Sequence, residues 1–277
     1  MREIMKPLKV SSKTIRKIKA WNRLTEKTSQ HFPYVRVKDV RSPGRRYEHF
    51  CLKQKRIVHL LSDGEFRTYL KLIWNPLVVR VNEQVPLDLK ETMQIAEEQQ
   101  ITHPRDYKKN HAHVMTTDFV VSEIEPNTGE LIDTAYSFKY FKSIYKIIGG
   151  ESIKSRKRTW QKLDLEKAYW EKRNIKYVIL TEMFAQKNEI YNIQLFLTEH
   201  HKSVDKYLLL SFIEKFIEHW NENPLSHLEQ LLLDVSKELD INRKYAFTLF
   251  KKATLQHLLA LELTEKKVAL NRKVYLV

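Results

Sequence analysis

Apolar residues recur at helical spacing in Phe66, Tyr69, Leu70 and Ile73, directly after Ser62-Asp63-Gly64-Glu65. Ser62 and Glu65 stand three apart, the spacing of a capping box, so a helix is expected to open there. Residues 77–81 alternate and are β-branched, which predicts a strand. Residues 86–89 lead into a Glu- and Gln-rich helix over 91–99. Residues 113–123 and 131–140 alternate on either side of Pro126-Asn127-Thr128-Gly129, a turn sequence, so the two strands are expected to pair as a hairpin. Residues 156–173 read as a charged amphipathic helix and residues 176–181 as a buried strand. Helix, three strands, helix and strand predict a mixed α/β domain ending near Phe184.

The pattern then changes. Residues 204–220 and 226–239 are apolar-periodic helices. Asp240-Ile241-Asn242 breaks the run, and a third helix is expected over 243–259. Residues 260–276 alternate around Glu265-Lys266-Lys267 and suggest a terminal β-hairpin. Helix, turn, helix, hairpin is the winged-helix order, so residues 185–277 are expected to form a winged-helix-like domain after a first domain of residues 1–184. Upstream, residues 11–30 read as a basic helix with Ser11 or Ser12 as N-cap. A basic loop with Ser42-Pro43-Gly44-Arg45-Arg46 follows it. No internal repeat is visible.

Charge sharpens this picture. The 277 residues carry a formal net charge of +15, and residues 1–60 hold 17 Lys or Arg against 4 Asp or Glu. So basic an arm on a near-neutral body suits phosphate contact, with Lys13, Arg16, Lys17, Lys19, Arg23, Arg45 and Arg46 as candidate DNA-binding residues. A solvated arm without a specific ligand is the plainer alternative. With 42% apolar and 11% aromatic residues, a packed core is expected rather than a disordered basic tail. No apolar run reaches membrane-spanning length and no signal-peptide pattern is seen, so a cytoplasmic protein without a membrane partner is expected. Cys51, the single cysteine, excludes a disulfide framework and fits a reducing compartment. No Walker loop or dinucleotide fingerprint is present.

The candidate chemistry lies in Glu65, in Asp118 of Thr116-Thr117-Asp118-Phe119, and in Lys139 of Ser137-Phe138-Lys139. Two carboxylates and a lysine at a sheet edge are the equipment of metal-dependent nucleases. Carboxylate oxygens hold a hard cation, and cation and lysine stabilise charge on the phosphate. Strand alternation points Asp118 opposite to Thr117 and Phe119, and places Ser137 and Lys139 on one face. On spacing alone, an ordinary strand aspartate paired with a strand lysine is the simpler account. Glu65 also suits a helix N-terminus without any ligand. Glu83 and Gln84 are candidates for orienting the site, with a structural part favoured for both. His111 and His113 form an H-x-H pair that lacks further soft ligands. His200 and His201 read as linker.

In order, HLLSDGEFRTYLKLIWNPLVVRVNEQVPL, THP, VMTTDFVV, SFK, LEKAYW and YVILTE resemble the TnsA family over roughly residues 40–185. FTLFKKATLQHLL matches more loosely. TnsA proteins are endonuclease subunits of heteromeric cut-and-paste bacterial transposases. The resemblance implies a restriction-endonuclease-like domain followed by a winged-helix-like one. It implies Glu65 and Asp118 as metal ligands, Lys139 as the catalytic lysine, and Glu166 close to the site. Magnesium is the expected ion, with manganese as a substitute. The position two before the lysine is usually Gln or Glu in the family and is Ser137 here, where binding through water or through the Phe138 carbonyl is the alternative. Tyr140 stands where the family often has Pro. The implied activity is cutting of the 5′ strands of double-stranded DNA at transposon ends. The implied partners are a TnsB recombinase, which cuts and joins the 3′ ends, and a TnsC regulator ATPase, and the implied setting is the bacterial nucleoid. An assembly subunit with a decayed nuclease site and a winged-helix transcription regulator are the rival readings.

Overall fold

The computed structural model describes residues 8–41 and 44–277. Ser42 and Pro43 of the basic loop lie outside the described residues. The chain divides into two compact units, residues 1–184 and 185–277. No helix among the described residues is long and apolar enough to cross a membrane.

In the first unit, α1 (Ser12–Thr28) starts at Ser11, whose hydroxyl accepts from the Thr14 amide at 3.0 Å. The Trp21 indole donates to the Phe32 carbonyl at 2.7 Å and lies edge-on to Tyr34, and Lys17 sits over the Tyr34 ring. The basic helix is therefore seated on the segment that follows it. That segment is tied onward, because the Tyr34 amide donates to the Gln84 carbonyl at 3.0 Å.

A hairpin of β1 (Tyr47–Cys51) and β2 (Arg56–Leu60) leads into α2 (Asp63–Trp74). Next come β3 (Val78–Pro86), α3 (Leu89–Glu98) and the two-residue strands β4 (Arg105–Asp106) and β5 (His111–Ala112). The strands β6 (Thr116–Ile124) and β7 (Leu131–Phe138) form the expected antiparallel hairpin. β6 begins later than its pattern suggests, because the His113 amide bonds the Pro104 carbonyl and the Met115 carbonyl takes the Leu87 amide. After β7 come α4 (Phe141–Ile144), a hairpin of β8 (Tyr145–Ile148) and β9 (Glu151–Lys154), α5 (Lys157–Glu171) and β10 (Lys176–Leu180).

The central sheet has the order β10-β7-β6-β3, with β10 parallel to β7 and the other pairs antiparallel. Helices cover it. Phe119 meets Tyr69 of α2, while Val120 and Ala135 pack with Leu165, Tyr169 and Trp170 of α5 and with Ile95 of α3. The unit is a mixed α/β fold of the restriction-endonuclease-like kind. Its edge strand β3 is covered near Gln84 by residues 31–34, which removes an open site for strand addition.

The second unit is helical: α6 (Lys187–Leu197), α7 (Lys206–Glu222), α8 (Leu228–Glu238) and α9 (Arg243–Leu255) around Phe196, Phe212, Phe216 and Phe250. The sequence pattern missed α6. Asn192 interrupts its apolar face, and is buried because it bonds the Leu263 and Lys266 carbonyls and the Val268 amide. The expected terminal β-hairpin is reduced to a short antiparallel contact at the Leu261–Leu276 bridge, where the Glu262 amide donates to the Tyr275 carbonyl at 2.9 Å and the Val277 amide to the Ala260 carbonyl at 3.2 Å. Nearer the turn, backbone groups of the arms serve the helices. The Leu270 and Arg272 carbonyls accept the first amides of α8, and Asn192 takes the loop between the two arms.

Candidate active site

The first turn of α2 carries Glu65 into the site. Ser62 caps the helix, and its hydroxyl accepts from the Glu65 amide at 3.1 Å and donates to Glu65 Oε1 at 3.0 Å. Glu65 Oε2 accepts from the Leu61 amide at 2.9 Å. Gly64 is required by close approach, since any Cβ there would overlap the buried Phe138 ring. That contact sets the helix start directly against the end of β7.

Asp118 stands near the start of β6. Its Oδ2 accepts from the Phe138 amide at 2.8 Å and from Lys139 Nζ at 3.0 Å. Lys139 Nζ also donates to the Phe138 carbonyl at 2.7 Å. The expected convergence is therefore present, with Glu65, Asp118 and Lys139 coming from α2, β6 and the end of β7. The Phe138 carbonyl, considered as a metal ligand, is taken by the lysine ammonium in this arrangement.

Sequence favours a structural part for both Glu83 and Gln84, and the geometry separates them. Glu83 is fully buried and turned away, ion-paired with Arg56 at 2.7 Å and accepting from the His59 amide at 3.1 Å. Gln84 enters the cluster. Its amide nitrogen lies 3.3 Å from Glu65 Oε2 and 3.3 Å from Asp118 Oδ1, and its oxygen accepts from Thr116 Oγ1 at 3.0 Å. Its backbone is left-handed, at φ 49°, inside a strand. Such strain in a non-glycine residue persists where the surroundings hold it and collects at functional sites. No sequence signal marks it.

Ser137 lies on the enclosed side of the cluster and donates its hydroxyl to Glu166 Oε2. Tyr177 donates to the same oxygen at 3.1 Å and Thr117 at 3.5 Å. Glu166, on α5, thus collects hydroxyls from β6, β7 and β10. Ser137 therefore serves a buried carboxylate on α5, the side on which Ala135 also packs, and that carboxylate acts on Lys139 as well.

Electrostatics follow from burial and crowding. Burial and the neighbouring Asp118 charge raise the Glu65 pKa. Glu166 is pushed up to about 7, chiefly by burial, with Lys139 pulling the other way. Burial disfavours the Lys139 ammonium, but Asp118, Glu166 and Glu65 more than offset this and raise its pKa. Lys139 is therefore a cation at neutral pH.

The donor set fits a hard divalent ion. Two carboxylates face one Gln84 amide, so a positively polarised group already sits between them. Magnesium is commonly held by one or two carboxylates while it keeps several waters. No group of three His, Cys, Asp or Glu with metal-holding geometry occurs among the described residues, His111 and His113 included.

Of the candidate DNA-binding residues, Lys13, Arg16, Lys19 and Arg23 are exposed along α1. Lys17 is shared with Asp39 at 3.5 Å, and Arg45 pairs with Asp63 at 3.1 Å. Arg46 departs from the expectation. It is half-buried and donates to the Val37 and Val40 carbonyls, so it braces the loop.

A restriction-endonuclease-like sheet bearing this carboxylate–lysine cluster defines a nuclease. Residues 75–182 match the family model described as TnsA-like endonuclease N terminal, a span that holds Asp118, Lys139 and Glu166. The chain is also 28% identical over 216 residues to "Transposon Tn7 transposition protein TnsA" of Escherichia coli, covering 76% of this chain and 70% of that protein. Over these spans the chain is similar to TnsA-like endonucleases.

Proposed function

We propose that the chain is the DNA endonuclease subunit of a transposase, cutting the 5′ strands at transposon ends by metal-dependent phosphodiester hydrolysis. The observation that carries this reading is the meeting of Glu65 and Asp118 on one Gln84 amide beside the Lys139 ammonium. Glu65 and Asp118 would hold a magnesium ion, or manganese in its place. When bound, that ion supplies Lewis acidity toward the phosphate and a lowered pKa for water.

The residues of the chain have separate tasks. Leu61 and Ser62 orient Glu65, and the Phe138 amide orients Asp118. Gln84 fixes the spacing of the two carboxylates. Lys139 stays protonated, so it lends positive charge to the phosphate rather than removing a proton. Glu166 stands behind the lysine and helps keep it charged.

A recombinase subunit of the TnsB kind is the proposed partner for the 3′ strands, and a regulator ATPase of the TnsC kind for the second unit. Protein docking by that unit is favoured over DNA reading because three of the four cations of α9 are engaged and Lys244 is left as a thin basic stripe. Arg243 pairs with Glu229, Lys251 pairs with Glu199, and Lys252 reaches the Glu199 carbonyl.

The test is strand-specific cleavage of an end-containing duplex, with and without the recombinase. Asp118→Ala should cut 5′-strand cleavage by about a thousandfold or more while leaving partner binding intact. Chelation should abolish cleavage, and magnesium should restore it. Near-normal cleavage by Asp118→Ala, or cleavage in chelator, refutes the assignment.

A further inference from the structure

The β8–β9 hairpin is unexplained by the site. It starts six residues after Lys139, and its base is fixed. Ile144 is fully buried with Trp160 and Leu163, the Trp160 indole donates to the Ile144 carbonyl at 2.9 Å, and Tyr145 packs edge-on to Trp160. The Ser155 amide closes the base on the Ile144 carbonyl at 2.8 Å.

Beyond this anchor, every residue from Lys146 to Lys154 is exposed. Ile147 is 68% exposed, Ile148 60% and Ile153 46%. The turn is Gly149-Gly150, both at positive φ and both bordered by open space where a side chain would stand, so the tip is slim. Register pairs Lys146 with Ile153 and Ile148 with Glu151, so Ile148 and Ile153 are diagonal neighbours on one face. Lys154, on the other face, lies over the Trp160 ring. Residues 142–158 hold six Lys or Arg and one Glu. Three bare isoleucines on a ribbon flanked by Lys142, Arg156, Lys157 and Arg158 suit a polyanion with apolar features inside it. A duplex groove has both.

We propose that the β8–β9 hairpin enters the major groove of the substrate duplex next to the bond that is cut, with its isoleucines against base edges and its lysines against phosphates. This rests on the endonuclease reading. Four strand residues reach roughly 13 Å, and the major groove is about 8.5 Å deep and admits a two-stranded ribbon. Apolar side chains there meet the thymine methyl group. The short chain distance to Lys139 keeps that contact close to the reacting phosphate.

The experiment uses the full chain and a labelled A·T-rich duplex, with calcium in place of magnesium, and compares thymidine with deoxyuridine in the same sequence. The double variant Ile147→Ser, Ile148→Ser should lose about tenfold in affinity on the thymidine duplex, with its salt dependence unchanged. The parent should weaken on the deoxyuridine duplex, and the double variant should not weaken further. Lys146→Gln should lower the log–log salt slope by about 0.9. All these positions are exposed, so the variants should fold as the parent does. Parent-like affinity and thymine dependence in the double variant overturn the proposal, and so does a defect confined to binding a second transposase subunit. If instead the parent binds duplex but never cleaves it with magnesium, the endonuclease reading fails while the groove contact stands.

Discussion

Replacing Glu166 by Gln should stabilise the metal-free protein at neutral pH, although Glu166 receives three hydroxyl contacts. The carboxyl is pushed up to about 7 from an ordinary 4.5, burial being the largest cause. Ionising it therefore costs about 3 kcal/mol more in the folded chain than in the unfolded one. Between those two pH values the folded chain keeps a proton that the unfolded chain has released. Unfolding free energy accordingly falls as pH rises through this window and levels off above it. Glu65, also raised, adds to the fall in the same direction. Glu166→Gln removes the ionisation but keeps an oxygen for Ser137 and Tyr177. The variant should gain up to about 3 kcal/mol over the parent near pH 8 and little near pH 5. The unplaced second donor of the amide trims that gain. Urea unfolding in chelator measures it, and Trp170, which bonds Thr117 Oγ1 at 2.8 Å, is a fluorescence reporter within the same cluster. A parent whose stability is flat with pH, or a variant less stable than the parent near pH 8, would refute the reasoning.

Gly64→Ala should lower stability by about 1–3 kcal/mol by forcing α2 from Phe138, and should cost cleavage more than a melting curve alone would suggest; parent-like cleavage would show that the close approach is dispensable. Deleting residues 1–30 should weaken DNA binding and flatten its salt slope by about 0.9 for each phosphate no longer neutralised, while cleavage at low salt largely survives; an unchanged slope would mean that α1 serves a protein partner. A fragment of residues 185–277 should bind the regulator ATPase but show only weak, non-selective DNA affinity in a mobility-shift titration; tight sequence-specific binding would reverse the assignment of that unit.

The sequence exposes those parts of the fold in which a side chain announces its own local job. Ser62 and Glu65 declare the start of α2, and Pro126 to Gly129 declare the β6–β7 turn, because capping and turn chemistry are local. Asp118 and Lys139 are legible as isolated polar residues in apolar strands. Gln84 is not, since its importance lies in a left-handed backbone inside β3 that leaves no mark on composition. Ser137 is legible as a strand residue on the α5 side of β7, but its partner Glu166 is 29 residues away and nothing local announces that its hydroxyl is given to a carboxylate. The β8–β9 hairpin does carry a usable signal, tandem glycines between short alternating runs, but the runs are too short to stand out beside the longer strands. α6 stays hidden behind Asn192, whose burial is explained only by loop carbonyls more than 70 residues away in sequence. The terminal hairpin suggested by alternation is formed only at its ends, because carbonyls nearer its turn cap α8.

The tie between Tyr34 and Gln84 has a consequence for how such a protein changes over generations. Glu65 is anchored by its own helix cap and Asp118 by the backbone of β7. Gln84 joins the seat of α1 to both carboxylates. Substitutions that reseat α1 would thus reach the two carboxylates through Gln84. The way α1 is seated can change while the cap of Glu65 and the backbone anchor of Asp118 stay as they are.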